Sequence, residues 1–401
     1  MKDILNVRKD FPVLVNNPNV VYLDSAATSL KPYSVINKMN EYYCNYGVNV
    51  NRGVYKLSYI ATENYEKTRI KCQEFLNAKY MEEIVYTKGA SNGLNMIALG
   101  YMDYLNEGDE IVSCELEHHS SILPWQEVAK KKNLKLRYAK LINNKPTLDS
   151  FKEVINEKTK VVVVTYVSNV MGYILPIKDI VKLAHQYHAV VVVDAAQAVP
   201  HLKIDVQDLD CDFLAFSAHK MLGPTGFGIL YGKKHLLNKL KPIEFGGDMI
   251  DEVELYDNTT KDAPYKFETG TPPIAEAISF IEAINYLENI GYDKIHDHIE
   301  DLTKYALKKL EGIEGLHIYN KDTDTGIITF NIRDVHPHDA STIFDERDIC
   351  LRAGHHCAQL ITHHLGVVGT LRCSIYIYNN HEDIDKFVQA VKDACEYFKE
   401  W

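Results

Sequence analysis

Two runs of four valines, at residues 161–164 and 190–193, each end in a polar residue, Thr165 and Asp194. A strand with no polar alternation is buried on both faces, so these runs require a sheet covered by helices on either side, the setting of mainly parallel sheets. The surrounding sequence keeps that pattern. Short β-rich runs at 84–87, 110–114, 160–167, 189–193, 213–216 and 227–231 alternate with helical stretches such as 177–187, where Ile180, Val181 and Ala184 mark one face. An α/β fold follows, with ligands expected beyond the carboxyl ends of the strands.

The texture changes after Pro272-Pro273. Residues 275–287 and 295–310 read as helices, 326–332 as a strand and 382–398 as a closing helix, together a smaller α+β domain. The expected division is a large domain over 18–280 and a small domain over 281–401, with residues 1–17 too few to stand alone and packing against the latter. A formal net charge of -11 over 401 residues disfavours a general nucleic-acid or membrane-surface binder, because anionic phosphates would be repelled. The longest apolar stretches fall far short of the roughly 20 residues that cross a bilayer. The opening MKDILNVRKDFPVL lacks the apolar centre of a secretory signal. A cytoplasmic protein is expected, or one from an organelle matrix or stroma if a transit peptide was removed. The eight cysteines include no CxxC pair and read as free thiols in a reducing compartment.

Asp194 ends one buried run, and Lys220 follows 26 positions later in DFLAFSAHKMLGPTGFG. With a strand at 213–216 between them, both side chains emerge at the carboxyl edge of one sheet, where an active-site crevice forms. A lysine there can form a Schiff base and an Asp can hold a protonated pyridine nitrogen, the two groups that pyridoxal phosphate (PLP) requires of its protein. An isolated Asp more often caps a helix and an isolated Lys more often lies on the surface. Three neighbouring features weigh against that here. Ser217 and His219 flank the lysine, and the glycines of GPTGFG let the backbone approach a ligand. TKGASNG at 87–93 stands between a strand and a helix expected to begin near Asn92, where backbone N–H groups can cradle a phosphate. The chain has no GxGxxG and no P-loop signature, which argues against dinucleotide and P-loop nucleotide binding.

The segments YLDSAATSLKP (22–32), NRGVYKLS (51–58), LEHHSSILPW (116–125), TYVSNVMG (165–172), VDAAQAV (193–199), FSAHKMLGPTGFGILY (216–231), FETGTP (267–272) and RAGHHCAQ (352–359) cover nearly the whole chain. Together they resemble a group II, SufS-type cysteine desulfurase of the class V aminotransferase family. The resemblance implies the fold type I of PLP-dependent transferases, with a mainly parallel seven-stranded sheet in the large domain, and a homodimer. It implies Lys220 as the covalent anchor of PLP and a later proton carrier, Asp194 beside the pyridine nitrogen, Gln197 on the ring's phenolic oxygen and His118 stacked on the ring face. The phosphate would be held by the Ala90 N–H, Ser91, Ser217 and His219, with Thr271 reaching in from a neighbouring subunit. Asn169, also a cofactor contact, and Arg372 would bind the substrate carboxylate, Arg372 through its two-pronged guanidinium.

By the same resemblance, RAGHHCA marks Cys357 as the nucleophile. Its thiolate would take sulfur from L-cysteine, releasing alanine and leaving a persulfide for an acceptor protein, SufE-like or zinc-containing and SufU-like, in iron–sulfur cluster assembly. The residues themselves agree with that choice. Cys357 alone lies in a loop-like segment with Arg352, Gly354, His355 and His356 around it, neighbours that favour a thiolate. Cys211 and Cys373 occupy apolar or strand-like stretches and read as inert core thiols, and Cys44, Cys72, Cys114, Cys350 and Cys395 read the same way. HHC with His363 and His364 has the residue types of a zinc site, but adjacent residues rarely point at one metal, and no metal is expected. Two departures from the family pattern stand out. The phosphate turn has Ala90-Ser91 where paired threonines are usual, which removes one hydroxyl contact. Asn51 stands where many relatives have His, so it is given no role, and Arg52 remains a candidate for the dimer interface or site rim. The alternative is a selenocysteine lyase or another class V enzyme, because the same lysine, aspartate and arginine serve all of them.

Overall fold

The computed structural model describes residues 3–400. Seven strands form one sheet: β1 (Ile84–Thr87), β2 (Glu110–Cys114), β3 (Lys135–Ala139), β4 (Thr159–Thr165), β5 (Val190–Asp194), β6 (Phe213–Ser217) and β7 (Gly228–Gly232). Their spatial order is β1-β7-β6-β5-β4-β2-β3, and only β7 runs against its neighbours. The expected mainly parallel seven-stranded sheet is therefore present. β4 and β5 lie side by side with Val161 opposite Val190 and Thr165 opposite Asp194, so the two polar ends share the carboxyl edge. β3 has no counterpart among the expected strands. It is an edge strand whose Lys135 and Arg137 are exposed, and its charges hide it from a search for apolar runs.

Helices cover both faces: α1 (Tyr33–Asn45), α2 (Lys56–Leu76), α3 (Ala90–Tyr101), α4 (His119–Lys132), α5 (Ile177–Gln186) and α6 (Ile274–Ile290). Val162, Val164, Val191 and Val193 enter a core shared with α2, α5 and α6, while Val161, Val163 and Val192 enter another shared with α3 and α4. All seven are fully buried. At about 1.5–3 kcal/mol for each buried aliphatic side chain, the doubly apolar valine runs are what hold the central strands in place.

A second sheet, antiparallel throughout, is built from β8 (Leu316–Ile318), β9 (Ile327–Ile332), β10 (Arg352–Gly354) and β11 (Thr370–Ser374) in the order β8-β9-β11-β10. α7 (Tyr292–Leu310), α8 (Pro337–Asp345), α9 (Gln359–His364) and α10 (His381–Tyr397) accompany it, and α7, α8 and α10 share its own apolar core. Near the amino end, Phe11 meets the rings of Tyr286 in α6 and Tyr378 at centroid distances of 5.8 and 4.8 Å, and Arg8 pairs with Asp383 of α10 at 2.7 Å. All three of these partners lie within residues 281–401.

Candidate active site

A cavity of about 190 Å³ opens where the carboxyl edge of the large sheet faces the turn after β10. Every site residue read from the sequence lines it except Thr271. Thr271 lies instead along a separate cleft with Tyr65, Tyr86 and Glu268.

Asp194 closes β5, is 4% exposed, and its Oδ1 accepts the Ala196 N–H at 2.9 Å. No ion pair reaches it among the described residues, and burial raises its pKa, opposed by that hydrogen bond and by Lys220. Lys220 stands in the helical turn directly after β6, where burial lowers its pKa to about 8 in spite of Asp194. His118 caps the amino end of α4, with Nδ1 accepting the Ser120 N–H at 3.1 Å. Burial and the charge of Lys220 bring its pKa down to about 3, so the ring is neutral and carries its proton on Nε2. His219 is neutral for the same reasons, its pKa lowered to about 4. Gln197 donates Nε2 to Ala26 O at 2.7 Å.

The turn after β1 differs in one respect from expectation: α3 begins at Ala90, not near Asn92. Gly89 has φ +136°, a conformation side chains rarely adopt, and a Cβ there would come 3.1 Å from Ser217 Oγ. Ala90 and Ser91 are thereby the first residues of a 12-residue helix, at its positive end. The Ala90 N–H meets Ser217 Oγ at 2.8 Å, and the Ser91 hydroxyl pairs with that of Ser120. Ser120 brings a further hydroxyl to this end of the cavity. The sequence reading passed over it, although it stands two residues after His118 at a helix start. Helix N–H groups with three hydroxyls make a cradle for a phosphate.

At the other end of the cavity, Arg372 projects from β11 and is 2% exposed. Its Nη1 donates to Asn169 O at 2.8 Å and its Nη2 to Asp24 Oδ1 at 3.3 Å, while Asp24 Oδ2 accepts from Arg352 Nε at 3.2 Å. Asp24, within YLDSAAT, was not singled out from the sequence, and it orients both guanidinium groups. Arg372 Nε and Asn169 Oδ1 are buried without a hydrogen-bond partner in the protein. A buried open donor and a buried open acceptor on one cavity are costly unless a ligand completes them.

Cys357 occupies the turn between β10 and α9. His356 and Cys357 have φ of 53° and 54°, left-handed values that cost energy in residues with a side chain. The surroundings over-determine the turn. Cys357 O accepts the His119 N–H at 2.7 Å, the Gln359 N–H donates to His119 Nε2 at 3.0 Å, and Asn169 Nδ2 donates to His356 O at 2.7 Å. Cys357 is exposed, and it lines the cavity together with Lys220 and Arg372. The paired histidines serve differently than expected. His356 is buried against Thr370 at 2.9 Å and kept neutral by burial and Arg372, so the positive charge near the thiol comes from Lys220 and the arginines. His355 turns to Thr362, and His364 to Glu115, so the imidazoles diverge from the thiol.

The family description Aminotransferase class-V matches residues 21–387. The chain belongs to the class-V aminotransferase family. Among class-V relatives, a protein of Staphylococcus epidermidis named probable cysteine desulfurase is 50% identical over 403 aligned residues, covering 99% of this chain and 98% of that one. A Staphylococcus aureus protein of the same name is 49% identical over the same shares. Among solved structures, the cysteine desulfurase CsdA from Escherichia coli superposes with a TM-score of 0.93 at 36% identity, and a cysteine desulfurase from Thermococcus onnurineus NA1 with 0.94 at 38%, each covering 99% of both chains. Within this class-V chain the other thiols divide. Cys72, Cys114, Cys211, Cys373 and Cys395 are buried, and burial raises their pKa, whereas Cys44 and Cys350 are exposed, which corrects their reading as core residues.

Proposed function

We propose that this protein is a PLP-dependent cysteine desulfurase that converts L-cysteine to L-alanine and leaves the sulfur as a persulfide on Cys357. The observation that carries the reading is a single cavity lined by Lys220, Asp194, Arg372 and an exposed Cys357 on a strained turn. Four features favour PLP there. They are the phosphate cradle at Ala90, the buried Asp194 with no ion pair of its own among the described residues, the neutral His118 on the same cavity, and a lysine whose lowered pKa raises the share of free amine above that of an ordinary lysine. When bound, PLP supplies an electron sink for the substrate's α-carbon.

The chain's own groups do the rest. Arg372 holds the substrate carboxylate through its open Nε–H, with the Asn169 amide N–H group beside it. Asp194 would hold negative charge against the pyridine nitrogen of bound PLP, Gln197 would bond its phenolic oxygen, and Lys220 would anchor it and carry a proton on Nζ. The Cys357 thiolate attacks the substrate sulfur: an S–S bond forms, the Cβ–S bond breaks, and its electron pair is protonated to give alanine. An exposed turn then lets the persulfide meet an acceptor protein, SufE-like or zinc-containing and SufU-like, for iron–sulfur cluster assembly. A homodimer, with Thr271 completing the partner's phosphate site, accounts for its distance from its own cavity and for the exposed Leu255 and Tyr256 between the strands of the hairpin at 250–260. Among the described residues no helix is long and apolar enough to cross a membrane.

Lys220→Ala is expected to lose the visible absorbance of lysine-bound PLP. Cys357→Ser is expected to keep that absorbance and bind cysteine without releasing sulfide. The selenocysteine-lyase reading predicts the opposite for Cys357, because selenium can leave without a protein thiol. Turnover of both amino acids by wild type and Cys357→Ser separates the two.

A further inference from the structure

The loop that carries Asn169 is gripped from the opposite unit in an unusual way. Between Ser168 and Gly172 the chain turns back on itself, with the Gly172 N–H on Ser168 O at 3.0 Å and the Val170 and Met171 N–H groups on Ser168 Oγ at 3.4 and 3.1 Å. The donors point inward, and the carbonyls point out. Four consecutive carbonyls each accept from a side chain of the smaller sheet or the hairpin leading into it. Asn169 O takes Arg372 Nη1, Val170 O takes Thr329 Oγ1, Met171 O takes Asn320 Nδ2 at 2.9 Å, and Gly172 O takes Thr325 Oγ1 at 3.2 Å. Asn320 also donates to Ile327 O and accepts the Thr329 N–H, each at 2.9 Å, so the gripping groups are locked to one another. Asn320 and Thr329 are fully buried. Gly172, at φ +66°, lies so close that a Cβ would come 2.3 Å from Thr323 Oγ1 and 2.7 Å from Thr325 Oγ1.

We propose that Asn320, Thr325 and Thr329 are positioning residues for the substrate carboxylate: they fix the 169–172 loop, and with it the Asn169 side chain, at the distance from Arg372 that the carboxylate requires. The inference rests on the reading of Asn169 and Arg372 as the carboxylate site. None of the three lines the active-site cavity. Their effect passes through Asn169, whose side chain in turn holds the Cys357 turn through His356 O. Register between the two units therefore sets both substrate affinity and the place of the thiol, and a buried carbonyl left without its donor shifts toward another partner.

The test is steady-state turnover of L-cysteine by PLP-loaded Thr329→Val, which keeps the shape and removes the hydroxyl, beside Thr329→Ser, which restores it. The expected result for Thr329→Val is a KM raised about tenfold with kcat changed far less and the resting PLP absorbance intact, and for Thr329→Ser a return to near wild-type KM. If Thr329→Val does not fold, Thr325→Val at the neighbouring carbonyl carries the same expectation. An unchanged KM, a fall in kcat alone, loss of PLP in step with activity, or failure of serine to restore the KM would overturn the proposal. A wild-type protein that did not turn over cysteine would instead remove the functional reading beneath it.

Discussion

Replacing Lys220 by Met is expected to stabilise the PLP-free protein at neutral pH. Burial lowers the Lys220 pKa from 10.5 to about 8, Asp194 notwithstanding. At about 1.36 kcal/mol for each tenfold change in proton affinity, the charged lysine is about 3 kcal/mol costlier in the folded chain than in the unfolded one. Water reaching the half-open cavity trims that toward 1–3 kcal/mol. Met keeps most of the side-chain length and carries no charge, so it removes the cost. The pH dependence follows from linkage. Near pH 7 both states hold the proton and the cost is complete; between pH 8 and 10.5 the folded state gives up a proton that the unfolded state retains, so wild type gains stability as pH rises. The advantage of Lys220→Met should therefore shrink by roughly half between pH 7 and pH 9.5. Urea unfolding of both proteins at the two pH values measures it. A Met variant less stable than wild type at pH 7, or an advantage that does not change with pH, would refute the account of Lys220 as a strained, buried amine.

Three further outcomes are expected. Arg372→Lys should raise the KM for cysteine about 10–100-fold with PLP absorbance retained, since a charge-assisted hydrogen bond contributes about 1.5–3 kcal/mol and the fork is lost; an unchanged KM would argue against the carboxylate site. Alkylation of the native protein followed by peptide mass spectrometry should label Cys357, Cys44 and Cys350 ahead of the five buried cysteines. Glu117 is fully buried, accepts from the Thr165 N–H and Ser121 Oγ, each at 2.7 Å, and has its pKa raised by burial to about 8. The folded state thus holds a proton that the unfolded state releases near pH 4.5, so wild type loses stability as pH climbs toward 8; Glu117→Gln should abolish that decline in urea melts.

The fold was legible where burial writes itself in composition. Valines at 161–164 and 191–193 touch helices on both sides, so no polar residue interrupts them, and Asp194 marks where the buried strand meets the cavity. Strand β3 was hidden because an edge strand needs only one apolar face, and Lys135 and Arg137 occupy the other. Asp194 and Lys220 followed from their spacing at strand ends, and most of the other site residues from the family resemblance, whose motifs sit at strand ends or helix starts, where a single local element sets direction. What spacing cannot express is pairing across the chain. Asp24 meets Arg372 across 348 positions, and Asn320 meets Met171 across 149, contacts created only when the two sheets dock. His355 and His356 were misjudged for a related reason. Adjacency to Cys357 suggested a cationic neighbourhood, whereas burial leaves His356 neutral and turns it toward Thr370.

The central claim is that Cys357 takes the sulfur from cysteine held by Lys220-anchored PLP, and mapping the sulfur after one turnover tests it most directly. The PLP-loaded protein, mixed with limiting L-cysteine, quenched and digested, should yield alanine and a mass increase of one sulfur atom on the peptide that carries Cys357. Cys357→Ser should yield neither. Sulfur found on another cysteine, or alanine formed by Cys357→Ser at the wild-type rate, would contradict the account.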